Sequence, residues 1–215
     1  NISSRKPSRK LSMSAHSKVV DIPVVDETAV ADGRRMRSER SRDAIIEAAL
    51  QLVQEGILVP TAQQIADRAG VAMRTFFRHF ESMESLSTAV DENTRDSYES
   101  LFTLAERQGT LDERVENAVR HRTNAYEQVK DVILSTQAQL WRSDVLTRNY
   151  ARDQRKLRRD MDAWLPELKS LPREKREAVD AITSFEMWHR LRSHQGLSKK
   201  MSIEIVVGLI KNLIQ

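Results

Sequence analysis

An all-α fold is the architecture this sequence predicts, and three observations predict it. Only six Gly and five Pro interrupt 215 residues. Aromatic residues make up 5%, whereas sheets draw heavily on aromatic and β-branched side chains. Apolar residues also recur at spacings of three and four in one segment after another, which sets them on one face of a helix. Hydrophobic residues at 40% suffice for a core, and charged residues at 31% suffice to cover the outer faces. A length of 215 residues allows one compact domain, or a small domain fused to a larger one.

The elements are read in chain order. Residues 1–33 look disordered: Arg5, Lys6, Arg9 and Lys10 lie among serines, and the VVDIPVV stretch is broken by Asp21 and Pro23. This basic extension is expected to run to residue 37, as a flexible segment without a task or as an arm that adds phosphate contacts. From Ser41, the spacing of Ile45, Ile46, Ala49, Leu52 and Val53 predicts a helix that Gly56 stops. Thr61, with Gln64 three residues on, forms a capping box for a short helix carrying Ile65, Ala66 and Ala69. Gly70-Val71-Ala72 turns the chain into a second short helix over about 73–80. Ser82 caps a long helix ending near Gly109. Further helices are expected over about 111–129, 131–142, 144–164 and 172–192, with a last one from Ser198 to the end.

Charge and cysteine content narrow the function classes. The net charge of +4 divides into +5 over residues 1–42, −3 over 43–86 and +2 over the remainder. A protein that coats nucleic acid indiscriminately is expected to be basic more evenly, so any DNA contact here is made at selected places. The absence of Cys excludes disulfides and thiolate metal sites and points to a reducing, cytoplasmic compartment. No apolar run approaches the ~18 residues of a membrane span, and no signal-peptide core follows the basic start. Asn at position 1 is compatible with residues preceding this numbering.

Two short helices joined by a Gly-containing turn are the parts of a helix-turn-helix. Ile65, Ala69, Phe76 and Phe80 converge with Ile45 and Ala49 on a small core, with Val71 plugging the angle between the helices. That leaves Met73, Arg74, Thr75, Phe77, Arg78 and His79 on or near the outer side of the second helix. Two Arg and a His on one exposed face inside an acidic block suit DNA, because Arg near the start of such a helix can bond guanine in bidentate fashion.

The segment TAQQIADRAGVAMRTFFRHFESMESL (61–86), with SRDAIIEAALQLVQEG before it, resembles the DNA-binding domain of the tetracycline-repressor (TetR) family. The similarity rests on Thr-x-x-x-Ile-Ala, the Ala-Gly-Val turn, Thr-Phe-Phe-x-His-Phe and the Leu after the last cap, over about 45 residues. The segment SFEMWHRLRSHQGLS is also similar to actinobacterial-type members. The resemblance implies a helix-turn-helix domain over 38–86 and a helical regulatory and dimerisation domain over 87–215. It implies that Thr75 and His79 touch phosphate, that Met73, Arg74 and Phe77 face the groove, and that Arg78 takes either role. Thr61 and Ser82, the caps, complete the expected DNA-binding set. Two positions depart from the family. Phe77 stands where Tyr is usual and Met83 where Lys is usual, so affinity is expected to lean on Arg74, Arg78 and the arm at Arg34, Arg35, Arg37 and Arg40.

In the larger half, Phe102, His121, Tyr126, Trp141, Met161, Trp164, Phe185 and Trp188 are the candidate lining of a ligand cavity, with core filling as the alternative for each. Polar residues show neither metal-ligand spacing nor a nucleophile beside a base, so no enzyme activity and no metal or other cofactor is expected. The last helix is apolar nearly all round. Val179, Ile182, Ile203, Val206, Ile210 and Leu213 are therefore expected at a four-helix interface between two copies. The resulting expectation is a homodimeric regulator of transcription, by default a repressor, that binds a near-palindromic double-stranded operator and releases it on taking up a small molecule. The alternatives are an activator, or a helical protein-binding adaptor with no sequence preference in DNA.

Overall fold

A computed structural model of the chain describes residues 27–103 and 105–214, which are helical with no strand among them. The helices are α1 (Glu27–Gln54), α2 (Ala62–Arg68), α3 (Met73–His79), α4 (Met83–Thr103), α5 (Leu111–Gln137), α6 (Asp144–Trp164), α7 (Arg173–Ile182), α8 (Phe185–His189) and α9 (Lys199–Ile214). Short 3₁₀ turns cover Leu140–Arg142 and Pro166–Ser170, and a π turn covers Arg190–His194. Contacts divide the chain into residues 1–37 and a compact unit over 38–215.

Two hydrophobic clusters organise that unit. The first joins Ile45, Ile46, Ala48, Ala49 and Leu52 of α1 to Ile65 and Ala66, Phe76 and Phe80, and Leu86 and Ala89 of α4. The apolar spacing of α1 delivers one buried stripe, and Gly56, at φ +91, turns the chain out of the helix where a side chain would be strained. The second cluster surrounds α5, whose Val115, Ala118, Val119 and Tyr126 meet Met161 and Trp164 of α6, Val179, Phe185, Trp188 and the inner face of α9. The helix α4 contributes to both clusters, since Phe102 at its far end packs against the second.

Three boundaries differ from the sequence expectation. The basic extension expected over 1–37 is helical from Glu27 onward, and its residues 1–26 lie outside those described. No proline follows Pro23 in this stretch, so nothing in it forbids the backward continuation of α1. The two helices expected over 111–129 and 131–142 are one, because nothing at Lys130-Asp131 breaks the ladder. The helix expected over 172–192 is instead α7, α8 and the π turn. Ser184 interrupts it by capping α8 through the Met187 N–H at 3.2 Å. Buried Arg122 and Tyr126 hold the break, Arg122 donating to the Thr183 hydroxyl at 3.1 Å and Tyr126 to the Thr183 carbonyl at 3.0 Å.

Between α4 and α6 the contacts are charged rather than apolar. Arg152 grips Asp91 with both ends of its guanidinium, at 2.8 and 3.2 Å, and Arg95 reaches the same carboxylate at 2.5 Å. Lys156 pairs with Glu99 one turn further along α6. Asp160 is buried between Arg107, at 2.6 Å, and Arg122, at 3.6 Å. Burial alone would raise Asp91, but the bonds from Arg152 and Arg95 outweigh it and hold the carboxyl below its ordinary 3.8.

A carboxyl with a lowered folded pKa stabilises the fold fully above the unfolded value, and that contribution is lost as pH falls through the folded one. Asp91→Asn is expected to destabilise by about 1–3 kcal/mol at pH 7, since it strips two guanidinium groups of their acceptor. The deficit relative to the parent is expected to shrink at pH 3. Urea unfolding of both proteins at the two pH values measures it.

Candidate nucleic-acid interface and the cavity beside it

The local geometry of α2 and α3 follows from their caps and turn. Thr61 has an extended backbone, accepts the Gln64 N–H at 3.2 Å and donates its own N–H to the Gln64 side chain at 2.9 Å. At the other end Ala69 closes on Ile65 at 2.9 Å and Val71 on Ala66 at 3.0 Å. This wrap requires a left-handed residue between them, supplied by Gly70 at φ +66. Arg68 returns two 2.7 Å bonds to Glu55, tying the end of α2 to the turn after α1.

Phe76 and Phe80 point into the core of the head, and the remaining residues of α3 sort around them. Arg74, Phe77 and Arg78 are exposed, whereas Met73, Thr75 and His79 are half-buried at the two edges of that face. Phe77 is 50% exposed, with its ring edge-on to Phe76 at 5.3 Å between centroids. Arg42 of α1 lies over the Phe80 ring at 5.4 Å. Burial, reinforced by the charges of Arg78 and Arg42, holds His79 below the ordinary imidazole range. Thr61 and Ser82 are both exposed. Ser82 caps α4, its hydroxyl accepting the Ser85 N–H at 3.1 Å. The expected DNA-binding residues of α3 thus lie on its outer face or at its edges, and Thr61 and Ser82 are exposed at the starts of α2 and α4. The side chain of Arg34 lies outside the described residues.

The ligand residues fare differently. A cavity of about 580 Å³ lies among α1, α4, α5 and α6, and Phe102 lines it. Tyr126, Met161, Trp164, Phe185 and Trp188 do not: they are core residues of the second cluster. His121 sits against Trp164, 6.1 Å between rings, and Trp141 is 83% exposed, its indole donating to the Ala138 carbonyl. The charge pairs of α4 and α6 border the cavity, whose lining includes Asp91, Arg95, Glu99 and Arg152. Its walls include Val90, Tyr98, Val132, Ile133, Asn149 and Tyr150, none of which composition singles out. The legible signal is the run of charges at i, i+4 steps, Asp91-Arg95-Glu99 on α4 and Arg152-Lys156-Asp160 on α6. At the rim, Tyr150 donates to Glu186 at 2.6 Å while Gln137 donates to both, at 2.9 and 2.7 Å. Burial, then the bond to Glu186, raises the Tyr150 phenol well above its usual range.

A bond links this region to the head. Ser143, the cap of α6, donates its hydroxyl to Glu84 at 2.7 Å, in the first turn of α4.

The residues expected at the dimer interface divide by burial. Val179, Ile203, Val206 and Ile210 are buried within the subunit, and Ile182 and Leu213 pack half-buried against the same cluster. The helix α9 spends its most apolar stripe on α5 and α7 of its own chain. What it leaves outside is Met201, 48% exposed, and Leu209, 38% exposed, while Ile205 packs half-buried against the same cluster. No helix among the described residues is long and apolar enough to cross a membrane, and no cluster of three or more His, Asp or Glu is placed to hold a metal.

Comparison with known proteins converges on the N-terminal part. The chain is 40% identical over 78 residues to the HTH-type transcriptional regulator TcmR of Streptomyces glaucescens, a match spanning 34% of each protein. Solved structures show the same fold over most of the chain. A transcriptional regulator from Rhodococcus sp. RHA1 superposes with a TM-score of 0.60 at 15% identity, covering 83% of this chain and 96% of its own. One from Streptomyces coelicolor A3(2) gives 0.52 at 18%, covering 80% and 98%. A TetR transcriptional regulator, also from Rhodococcus sp. RHA1, gives 0.50 at 20%, covering 81% and 96%. Residues 45–90 match the bacterial regulatory proteins, tetR family. Through that segment the chain carries the N-terminal domain of the tetR family of bacterial regulatory proteins.

Proposed function

We propose that this protein is a DNA-binding transcriptional regulator of the cytoplasm, acting as a homodimer on a near-palindromic double-stranded operator and, by default, as a repressor. The observation that carries the reading is the outer face of α3. Arg74 and Arg78 stand exposed there on a helix anchored by Phe76 and Phe80, inside the segment that matches the tetR family. In this reading residues 38–86 form the reading head, and Thr61, Thr75, His79 and Ser82 flank the groove within reach of phosphates. Residues 87–215 regulate it. The cavity between α4 and α6 takes a small apolar molecule. Its entry changes the angle of α4 through the Asp91–Arg152 and Glu84–Ser143 contacts, which lie on the same helix as the Ser82 cap. Dimerisation uses the outer row of α9, since an exposed apolar row on a terminal helix is best hidden by its own copy.

Selection of bound sequences from random DNA tests the central claim, and a protein that enriches none is not a sequence-specific regulator. On the selected operator, Arg74→Ala is expected to cost about 1–3 kcal/mol and to relax choice at one base position per half-site. Arg78→Ala is expected to weaken binding more evenly across sequences and to reduce the salt slope by about one unit. Operator titrations at several salt concentrations separate the two, with circular dichroism expected to show both variants folded.

For the interface, Leu209→Asp is expected to give folded monomers in sedimentation. Ile210→Asp, one residue on but fully buried, is expected to unfold the subunit instead. An unchanged dimer in Leu209→Asp removes α9 from the interface.

A further inference from the structure

We infer that the cavity beside the α4–α6 seam takes a carboxylic acid with a long apolar body, and that Arg159 holds its carboxylate. This rests on the cavity reading proposed above and names the chemistry of the occupant. The lining residues Met83, Leu86, Val90, Thr94, Tyr98 and Phe102 recur at steps of three and four, so the cavity follows one face of α4. From Met83 to Phe102 the helix rises about 28 Å, which suits a long molecule better than a compact one. One end is walled by Leu50 and Val53 of α1, Ile65 of α2 and Leu86. Val132 and Ile133 of α5 and Leu146 of α6 add further apolar surface.

The charges along the seam leave one cation over. Five cationic side chains and four carboxylates line the cavity. Asp91 meets Arg95 and Arg152, and Asp153 also meets Arg152. Glu99 meets Lys156, and Asp160 meets Arg107. Arg159 has no carboxylate partner among the described residues, and it is exposed, which places it at the mouth. Its place follows from spacing. Arg152, Lys156 and Arg159 succeed one another at four and three residues, on one face of α6. The first two find Asp91 and Glu99, but one turn beyond Glu99 the lining of α4 is Phe102 and Thr103, and neither can neutralise a guanidinium. A carboxylate supplies the missing charge and matches the planar fork of the guanidinium. An amine finds every lining carboxylate already paired. A phosphomonoester brings nearly two negative charges, more than a single guanidinium offsets.

Decanoate, decan-1-ol and hexanoate, titrated calorimetrically into the full chain below their micellar concentrations, test this. Decanoate is expected to bind about tenfold more tightly than decan-1-ol, the worth of one hydrogen bond to a charged group. Hexanoate, four methylenes shorter, is expected to bind more than about tenfold more weakly than decanoate. Arg159→Gln is expected to bring decanoate down to the affinity of decan-1-ol while melting at the parent's temperature. Arg155→Gln removes the same charge from an exposed site on α6 outside the lining, and is expected to keep the preference for the acid. Equal binding of acid and alcohol by the parent, a preference that survives Arg159→Gln, or an equal loss in Arg155→Gln overturns the role of Arg159. Hexanoate binding as tightly as decanoate overturns the long apolar body. If neither decanoate nor decan-1-ol binds, the cavity reading itself fails, whereas binding of both without preference overturns only the carboxylate.

Discussion

The charged seam between α4 and α6 is the contact on which the remaining architecture depends. The helix α4 belongs to both hydrophobic clusters, giving Leu86 and Ala89 to one and Phe102 to the other. Between α4 and α6, Asp91, Arg95 and Glu99 face Arg152 and Lys156, and long side chains bridge the two helices. Partly exposed ion pairs add little stability, but they are directional, and opposite charges matched along two helices fix one register and penalise others. The cavity of about 580 Å³ lies beside this seam.

That seam also places the head. The start of α4 is held twice, by the Ser82–Ser85 cap on its own helix and by Ser143 reaching Glu84 from α6. The proposed regulation runs through these contacts, and it requires an occupant of the cavity that favours one arrangement of them over another.

The same economy of burial explains why α9 and the tryptophans are not where composition placed them. Trp164 and Trp188 are nearly fully buried because large rings are the most effective core fillers, while Trp141, on a 3₁₀ turn outside both clusters, remains in solvent. On α9, Ile203, Val206 and Ile210 face inward, and Met201 and Leu209 are left for another surface. A helix apolar all round has two candidate faces, and which one meets the chain itself depends on how α5 and α7 approach it.

Local physics makes the head legible in the residues alone. The Thr61–Gln64 box, the left-handed Gly70 and the inward Phe76 and Phe80 are determined by neighbours within a few positions. The helix-turn-helix and the exposure of Arg74, Phe77 and Arg78 therefore follow from a short stretch of sequence. The all-α class is legible for the same reason, since helical periodicity is a property of short windows. Only the tertiary structure decided where the cavity lies, which face of α9 is spent inside the subunit, and that Thr183-Ser184 breaks the helix after Pro172. Each depends on partners far apart in the chain, such as Asp91 with Arg152 beside the cavity, α5 with α9, and Arg122 with Thr183. Composition can say that an apolar or charged side chain needs a partner, but the partner is chosen by how the helices cross.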